Sequence, residues 1–373
     1  MSLDELPVRD DLRGKKPYGA PQINVSVQLN VNENTHPVPA HVAEDITQAI
    51  REALYSINRY PDREFTQLRQ SLADYVNYGD ALNGSHRLAY GTGATTDNLW
   101  AANGSNEVIQ QIFQAFGGPG RKALGFKPTY SMYSLIALGA DTDYLEVERA
   151  DRYELTPELI RAAIDEHQPD IVMLCSPNNP TGTPLSLSCI EAAYEATNGI
   201  VVVDEAYAEF SHGQEESAIS LLPGRPRLLV SRTMSKAFAF AGARLGYLAA
   251  DPAVIDALRL VRLPYHLSAF TQAAAEAALD HSEAMLRTVA DIQVQRDRLL
   301  MELAELGYDP YRSDSNFVLF AGVEDPNAMF EQLLARGILV RNVGISGTLR
   351  VTAGTEAETT AFLAALGELT HRG

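Results

Sequence analysis

A chain of 373 residues, 46% hydrophobic and with 26 Gly and 19 Pro, exceeds the size that one core usually serves, so two domains are expected. Forty-eight acidic against 30 basic residues give a formal charge of -18, which argues against nucleic acid or an anionic membrane as partner. No stretch has membrane-spanning length, and two cysteines, Cys175 and Cys189, in unrelated contexts support neither a disulfide framework nor a metal site.

The opening segment, Met1 to Asp11, carries Asp4, Glu5, Asp10 and Asp11 and no apolar run of signal-peptide length, so a soluble protein of the reducing cytoplasm is expected. Pro17 to Pro39, rich in Pro and Asn, reads as an extended arm. From Glu44 onward, segments with helical spacing alternate with β-branched runs, clearest at Ile171 to Leu174, Ile200 to Val203 and Leu228 to Val230. That alternation predicts a mainly parallel sheet covered by helices, an α/β architecture. After Phe270 an Ala-rich and then charged helical stretch runs to about Leu306, and short strands are expected over 315–320 and 338–340. The expected division is an arm over 1–37 that packs with the small domain, a large domain over 38–270, and a smaller α/β domain over 271–373.

Three strand ends carry the chemistry. The run Ile200-Val-Val-Val ends on Asp204, with Tyr207 just beyond, and in open α/β sheets ligands are met at the carboxyl ends of strands. A lone Asp there would more often open a turn or cap a helix. The next strand ends in Arg232-Thr233-Met234-Ser235-Lys236, with Arg244 a little further on, a set that suits a phosphate and an amine nucleophile. The preceding one ends in Cys175-Ser176-Pro177-Asn178-Asn179-Pro180-Thr181-Gly182, which by composition is a turn. Upstream, Gly104-Ser105-Asn106 stands before a helical run from Glu107 to Phe116, either as an ordinary cap or as an anion seat.

Together, Ser176 to Gly182, Asp204 to Tyr207, Ser235-Lys236 and Arg244 resemble the fold-type I pyridoxal-phosphate-dependent aminotransferases. The resemblance implies that Lys236 carries the cofactor aldehyde and then shuttles the proton, that Asp204 holds the ring nitrogen, and that Asn179 and Tyr207 bond the ring phenolate. It also implies that Ser105, Asn106, Thr233, Ser235 and Arg244 take the phosphate and that Tyr130 stacks on the ring. Tyr60, in Asn58-Arg59-Tyr60-Pro61, matches a tyrosine that reaches the neighbouring subunit's phosphate, which implies a homodimer.

The stretch from Leu12 to Pro21, with Leu29-Asn30-Val31-Asn32-Glu33-Asn34, is similar to the arm of histidinol-phosphate aminotransferases, notably the actinobacterial kind. That resemblance implies transfer of nitrogen between L-glutamate and imidazole-acetol phosphate, with 2-oxoglutarate and histidinol phosphate as products. It assigns Tyr18, Asn32, Arg341 and Arg350 to substrate, Arg350 gripping a carboxylate. An aromatic-amino-acid aminotransferase is the alternative, in which Tyr130, Tyr133, Tyr265 and His266 line a pocket for a phenyl ring. A decarboxylase or lyase is disfavoured by Arg350, and a non-enzymatic binding module by the joint presence of Lys236 and Asp204.

Overall fold

In a computed structural model of the chain, residues 5–15, 17, 19–78, 93–212 and 217–370 are described. The arm contributes β1 (Val27–Gln28), and two helices, α1 (Ala40–Leu54) and α2 (Thr66–Tyr78), follow it. The main sheet is built from β2 (Leu99–Ala102), β3 (Lys122–Lys127), β4 (Asp143–Glu148), β5 (Ile171–Cys175), β6 (Ile200–Asp204), β7 (Leu228–Thr233) and β8 (Gly246–Ala249). Its order is β2-β8-β7-β6-β5-β3-β4, parallel throughout except that β8 runs against both neighbours. The Val and Ile runs read from sequence become β5, β6 and β7, buried along their whole length because helices cover both faces.

Between the strands lie α3 (Ser105–Phe116), α4 (Met132–Gly139), α5 (Pro157–His167) and α6 (Leu187–Ala196), with α7 (Pro252–Val261) after β8. Their starts carry the expected signals. Thr156 accepts from the Leu159 amide before Pro157 opens α5, and Asp251 accepts from the Ala253 amide before Pro252 opens α7, each cap contributing about 1 kcal/mol.

The rest of the chain forms α8 (Ala269–Asp280), α9 (Ser282–Glu305), β9 (Asp309–Pro310), β10 (Phe317–Ala321), α10 (Pro326–Leu334), β11 (Ile338–Leu339), β12 (Thr348–Thr352) and α11 (Glu356–Thr370). The helical stretch expected over 270–306 is two helices, broken at His281, whose backbone leaves the helical region. Helix α8 packs on α1 and α2, whereas α9 packs on β9 and β10. A small antiparallel sheet of order β12-β10-β9 lies apart from the main one, and β1 pairs in parallel with β11 through Val27 and Ile338. The arm is therefore hydrogen-bonded to the C-terminal part of the chain, and the Leu29 carbonyl goes on to accept from the Thr352 amide at 2.9 Å.

The register fixes the site. Cys175 lies opposite Asp204, and Asp204 opposite Ser231, so the carboxyl ends of β5, β6 and β7 stand side by side. Beneath them Glu205 accepts from Arg232 Nη2 at 2.7 Å, from Ser217 Oγ at 2.6 Å and from the Ala218 amide at 2.6 Å. Both members of that ion pair are almost fully buried, so removing one partner would leave an uncompensated charge, at a cost of about 3–5 kcal/mol. No helix among the described residues is long and apolar enough to cross a membrane.

Candidate active site

A cavity of about 210 Å3 opens at these strand ends. Asn179, Asp204, Tyr207, Thr233, Ser235 and Lys236 border it from the main sheet, and Ser105, Asn106, Tyr130 and Arg244 close one end. Asn32 from the arm, with Arg341 and Arg350 from the C-terminal part, completes the wall. Tyr60 is elsewhere, 79% exposed and stacked on Tyr265 with ring centroids 4.4 Å apart. Tyr18 lies outside the described residues.

One end of the cavity is shaped for an anion. Helix α3 begins at Ser105, two residues earlier than the sequence suggests, and its N-cap is Gly104 with no side chain capping the first turn. The ordinary Ser or Asn cap therefore does not apply, and the helix N-terminus faces the cavity with its partial positive charge uncapped by a side chain. Gly104 has φ +85°, and a Cβ there would come within 2.5 Å of Arg244 Nη2, so the guanidinium rests directly on this glycine. A Cβ on Gly246 would meet the Ser105 amide nitrogen at 2.1 Å, so a glycine in β8 lets the helix end approach the sheet. Thr233 Oγ1 lies 2.9 Å from Ser235 Oγ and accepts from the Ser235 amide at 3.1 Å, which presents both hydroxyls at the same end.

At the centre stand a carboxylate and an amine. Asp204 is 3% exposed, and its Oδ2 accepts from the Tyr133 hydroxyl at 2.7 Å, while Oδ1 is buried with no hydrogen-bond partner among the described residues. Burial pushes its carboxyl up to about 6, against the pull of the Tyr133 hydrogen bond. Lys236 Nζ donates to the Val31 carbonyl of the arm at 3.1 Å. Burial, then the Arg350 guanidinium, bring its ammonium down to about 8 against the pull of Glu33, with Arg244 adding to the fall, so a minor but accessible share of the amine, roughly a fifth near pH 7.4, is neutral.

The third feature is a strap. Arg350 Nη2 donates to the Asn30 carbonyl at 2.9 Å, and Asn32 Nδ2 donates to the Tyr207 hydroxyl at 3.0 Å. With Val31 on Lys236, three successive arm residues each touch a different functional side chain. Arg350 Nη1 also donates to Asn179 Oδ1 at 2.5 Å, so the turn after β5 orients the guanidinium. The Tyr207 hydroxyl is raised above its ordinary range by burial and stays protonated. Arg341 pairs with Arg350 through backbone hydrogen bonds, which places two cationic side chains on one wall.

A family model described as aminotransferase class I and II matches residues 24–366. The chain belongs to that family. It is 60% identical over 370 residues to the histidinol-phosphate aminotransferase of Paenarthrobacter aurescens, covering 98% of this chain and 96% of that one. The enzyme of the same name from Thermobifida fusca is 52% identical over 373 residues, covering 100% of this chain and 98% of that one. Among solved structures, the histidinol-phosphate aminotransferase of Sinorhizobium meliloti in complex with pyridoxal-5'-phosphate superposes with a TM-score of 0.80 at 24% identity, covering 93% of this chain and 92% of that one. At that identity the likeness shows the fold.

The chain is thus an α/β pyridoxal-phosphate-dependent aminotransferase, and its own residues fit the cofactor. The orphaned Asp204 Oδ1 offers a buried acceptor to a protonated ring nitrogen, and the α3 end with Arg244 offers an anion seat on the same cavity.

Sequence reasoning missed the Tyr133 contact to Asp204. Of the four aromatic side chains expected around a phenyl ring, Tyr130 alone borders the cavity. Tyr133 is buried beneath it, Tyr265 stacks on Tyr60, and His266 stacks on Trp100 at 5.6 Å. The Val31 carbonyl was equally hidden, since backbone groups leave no mark in a residue pattern.

Proposed function

We propose that this aminotransferase moves an amino group between L-glutamate and imidazole-acetol phosphate, giving 2-oxoglutarate and histidinol phosphate, a step of histidine biosynthesis. The two wall arginines carry this reading, because both partners are anions and the chain as a whole is strongly negative. Local cations must overcome that field. Arg350, steadied by Asn179, grips the glutamate carboxylate; Arg341, with Asn32 and Tyr18 of the arm, takes the substrate phosphate or the second carboxylate. The enzymes of this name at 52% and 60% identity support the same substrate.

Pyridoxal phosphate, when bound, supplies the electron sink that makes the substrate Cα–H acidic. The protein's residues do the rest. Ser105, Asn106, Thr233, Ser235 and Arg244 hold its phosphate, Tyr130 stacks on the ring, and Asp204 keeps the ring nitrogen protonated. Asn179 and Tyr207 donate to its phenolic oxygen. Lys236 would anchor the aldehyde, and its amine, freed by the substrate amine, would serve as the base that takes the substrate Cα proton and as the acid that gives it back.

We further propose a cytoplasmic homodimer with an arm over 1–37, a large domain over 38–270 and a small one over 271–373. Leu54, Tyr55, Ile57, Tyr60, Leu260, Leu263 and Tyr265 are all exposed, and the Tyr60–Tyr265 stack joins their two segments. An apolar surface of this kind suits a second copy, which would receive Tyr60 at its cofactor phosphate.

The aromatic-aminotransferase alternative loses support from the burial or displacement of Tyr133, Tyr265 and His266. The test is kcat/KM with 2-oxoglutarate as acceptor. Histidinol phosphate should exceed L-phenylalanine by at least about a hundredfold, because a site built for a phosphate leaves its donors unpaired with a phenyl ring. Equal values, or the reverse order, would replace this reading with the aromatic one.

A further inference from the structure

We infer that Tyr133 is a positioning residue of the reaction, holding the Asp204 carboxylate so that its Oδ1 faces the cofactor ring nitrogen. The inference rests on the cofactor reading above and adds a residue to it. Tyr133 does not border the cavity; it sits in the first turn of α4, fully buried, and its amide donates to the Tyr130 carbonyl at 3.2 Å. The two rings meet edge to face with centroids 5.5 Å apart. One turn of chain therefore presents Tyr130 to the cavity and Tyr133 to the carboxylate behind it.

The geometry requires such a partner. Rotation about the last bond of an Asp side chain is soft, so a strand-end carboxylate without a second contact has no fixed direction. Here Oδ2 takes the Tyr133 hydroxyl at 2.7 Å, and that single bond leaves Oδ1 as the free end in a residue that borders the cavity. A buried acceptor without a donor costs free energy, which the ring N–H of the cofactor would recover. The phenol is suited to the task because burial, and then the Asp204 charge, hold its proton well above the ordinary range. It donates at every working pH. The other groups that act on Asp204 are Glu205 next in sequence and Cys175 on β5, whose thiol burial pushes up to about 12; Arg149 faces Cys175 and Tyr133 from behind. None of these supplies a competing hydrogen bond to either carboxylate oxygen among the described residues.

The test is the affinity of cofactor-free protein for pyridoxal phosphate alone, measured against pH for wild type, Tyr133→Phe, Asp204→Asn and the double variant. Tyr133→Phe keeps the buried ring and removes only the hydroxyl. It should weaken binding about tenfold, or about 1.4 kcal/mol, with a deficit that grows as pH falls, since the carboxylate loses the donor that favours its charged form. In the Asp204→Asn background the same change should weaken binding less than twofold. A second variant, 3-fluorotyrosine at position 133, has a stronger donor and should move the pH profile the opposite way. Wild-type affinity and pH profile in the folded Tyr133→Phe protein would overturn the inference, as would equal weakening with and without Asp204 or a fluorotyrosine profile that does not move. Wild-type protein that binds no pyridoxal phosphate at any pH would overturn the cofactor reading itself, an outcome distinct from these.

Discussion

The side-chain amide of Asn32 donates to the Tyr207 hydroxyl at 3.0 Å, across 175 positions of sequence. The backbone of Asn32 is held in turn by the C-terminal part of the chain, its amide donating to Thr352 Oγ1 at 3.0 Å and its carbonyl accepting from Asn316 Nδ2 at 3.0 Å. Arm, small sheet and main sheet thus converge on one phenol that the reaction uses. Asn32 sits at φ +58°, a region that Asn and Gly tolerate and Ala does not. Asn32→Gly and Asn32→Ala should both lose about tenfold in kcat through the missing donor, whereas only the Ala variant should lose an additional 1 kcal/mol or so of stability. Parallel kinetics and urea unfolding separate the two effects. Wild-type kcat in the Gly variant would show that Tyr207 needs no support from the arm.

Asp204 makes the cofactor-free protein sensitive to pH. Its carboxyl lies at about 6 in the fold against an ordinary 3.8, because it is buried. The folded chain therefore keeps a proton that the unfolded chain releases, and stability falls as pH rises through that window and stays lower above it. A difference of roughly two pH units corresponds to about 3 kcal/mol. Relative to wild type, Asp204→Asn should gain stability between about pH 4 and pH 7, read from urea midpoints without cofactor. A gap that is constant with pH would mean that the carboxyl titrates normally. The same variant should lose most of its turnover in both half-reactions, since it no longer keeps the ring nitrogen protonated.

Gly104 provides a test of the anion seat that does not touch a charged group. Gly104→Ala places a methyl 2.5 Å from Arg244 Nη2 and forces a positive φ on a side chain that resists it. Arg244 must retreat from the α3 end. Affinity for pyridoxal phosphate should fall by about tenfold or more, with a smaller proportional loss for dephosphorylated pyridoxal. Equal losses for both compounds would place the phosphate elsewhere.

Tyr60 tests the shared site. If it serves the neighbouring subunit, mixing inactive Lys236→Ala chains with impaired Tyr60→Phe chains creates one intact site in each mixed dimer. Activity should then rise above that of either parent. No recovery in confirmed mixed dimers would confine the site to a single chain.

Much of this site is visible in the sequence because β-branched runs end abruptly on polar residues. Val203 gives way to Asp204 and Leu174 to Cys175, so the strand ends, and with them Asp204, Asn179 and Lys236, fall on one edge of the sheet. Arg350 stands out as a charge inside an apolar run. The start of α3 was misread by two residues, because Ser105 and Asn106 have the composition of a cap while Gly104 occupies the cap itself. The break at His281 lies between two segments of helical composition, where only backbone geometry shows it. Tyr133 was legible as an aromatic near the site, but its role depends on which way one turn of α4 points, and that is decided by packing against α3 and β4.

The most direct test of the central claim is the visible absorption of the purified, cofactor-loaded protein during separate additions of histidinol phosphate and L-phenylalanine. The account predicts a yellow protein whose absorption bleaches at far lower concentrations of histidinol phosphate than of phenylalanine, and a Lys236→Ala variant that cannot complete the cycle. Bleaching by phenylalanine at the lower concentration would contradict the substrate assignment, and a protein that stays colourless with added pyridoxal phosphate would contradict the account as a whole.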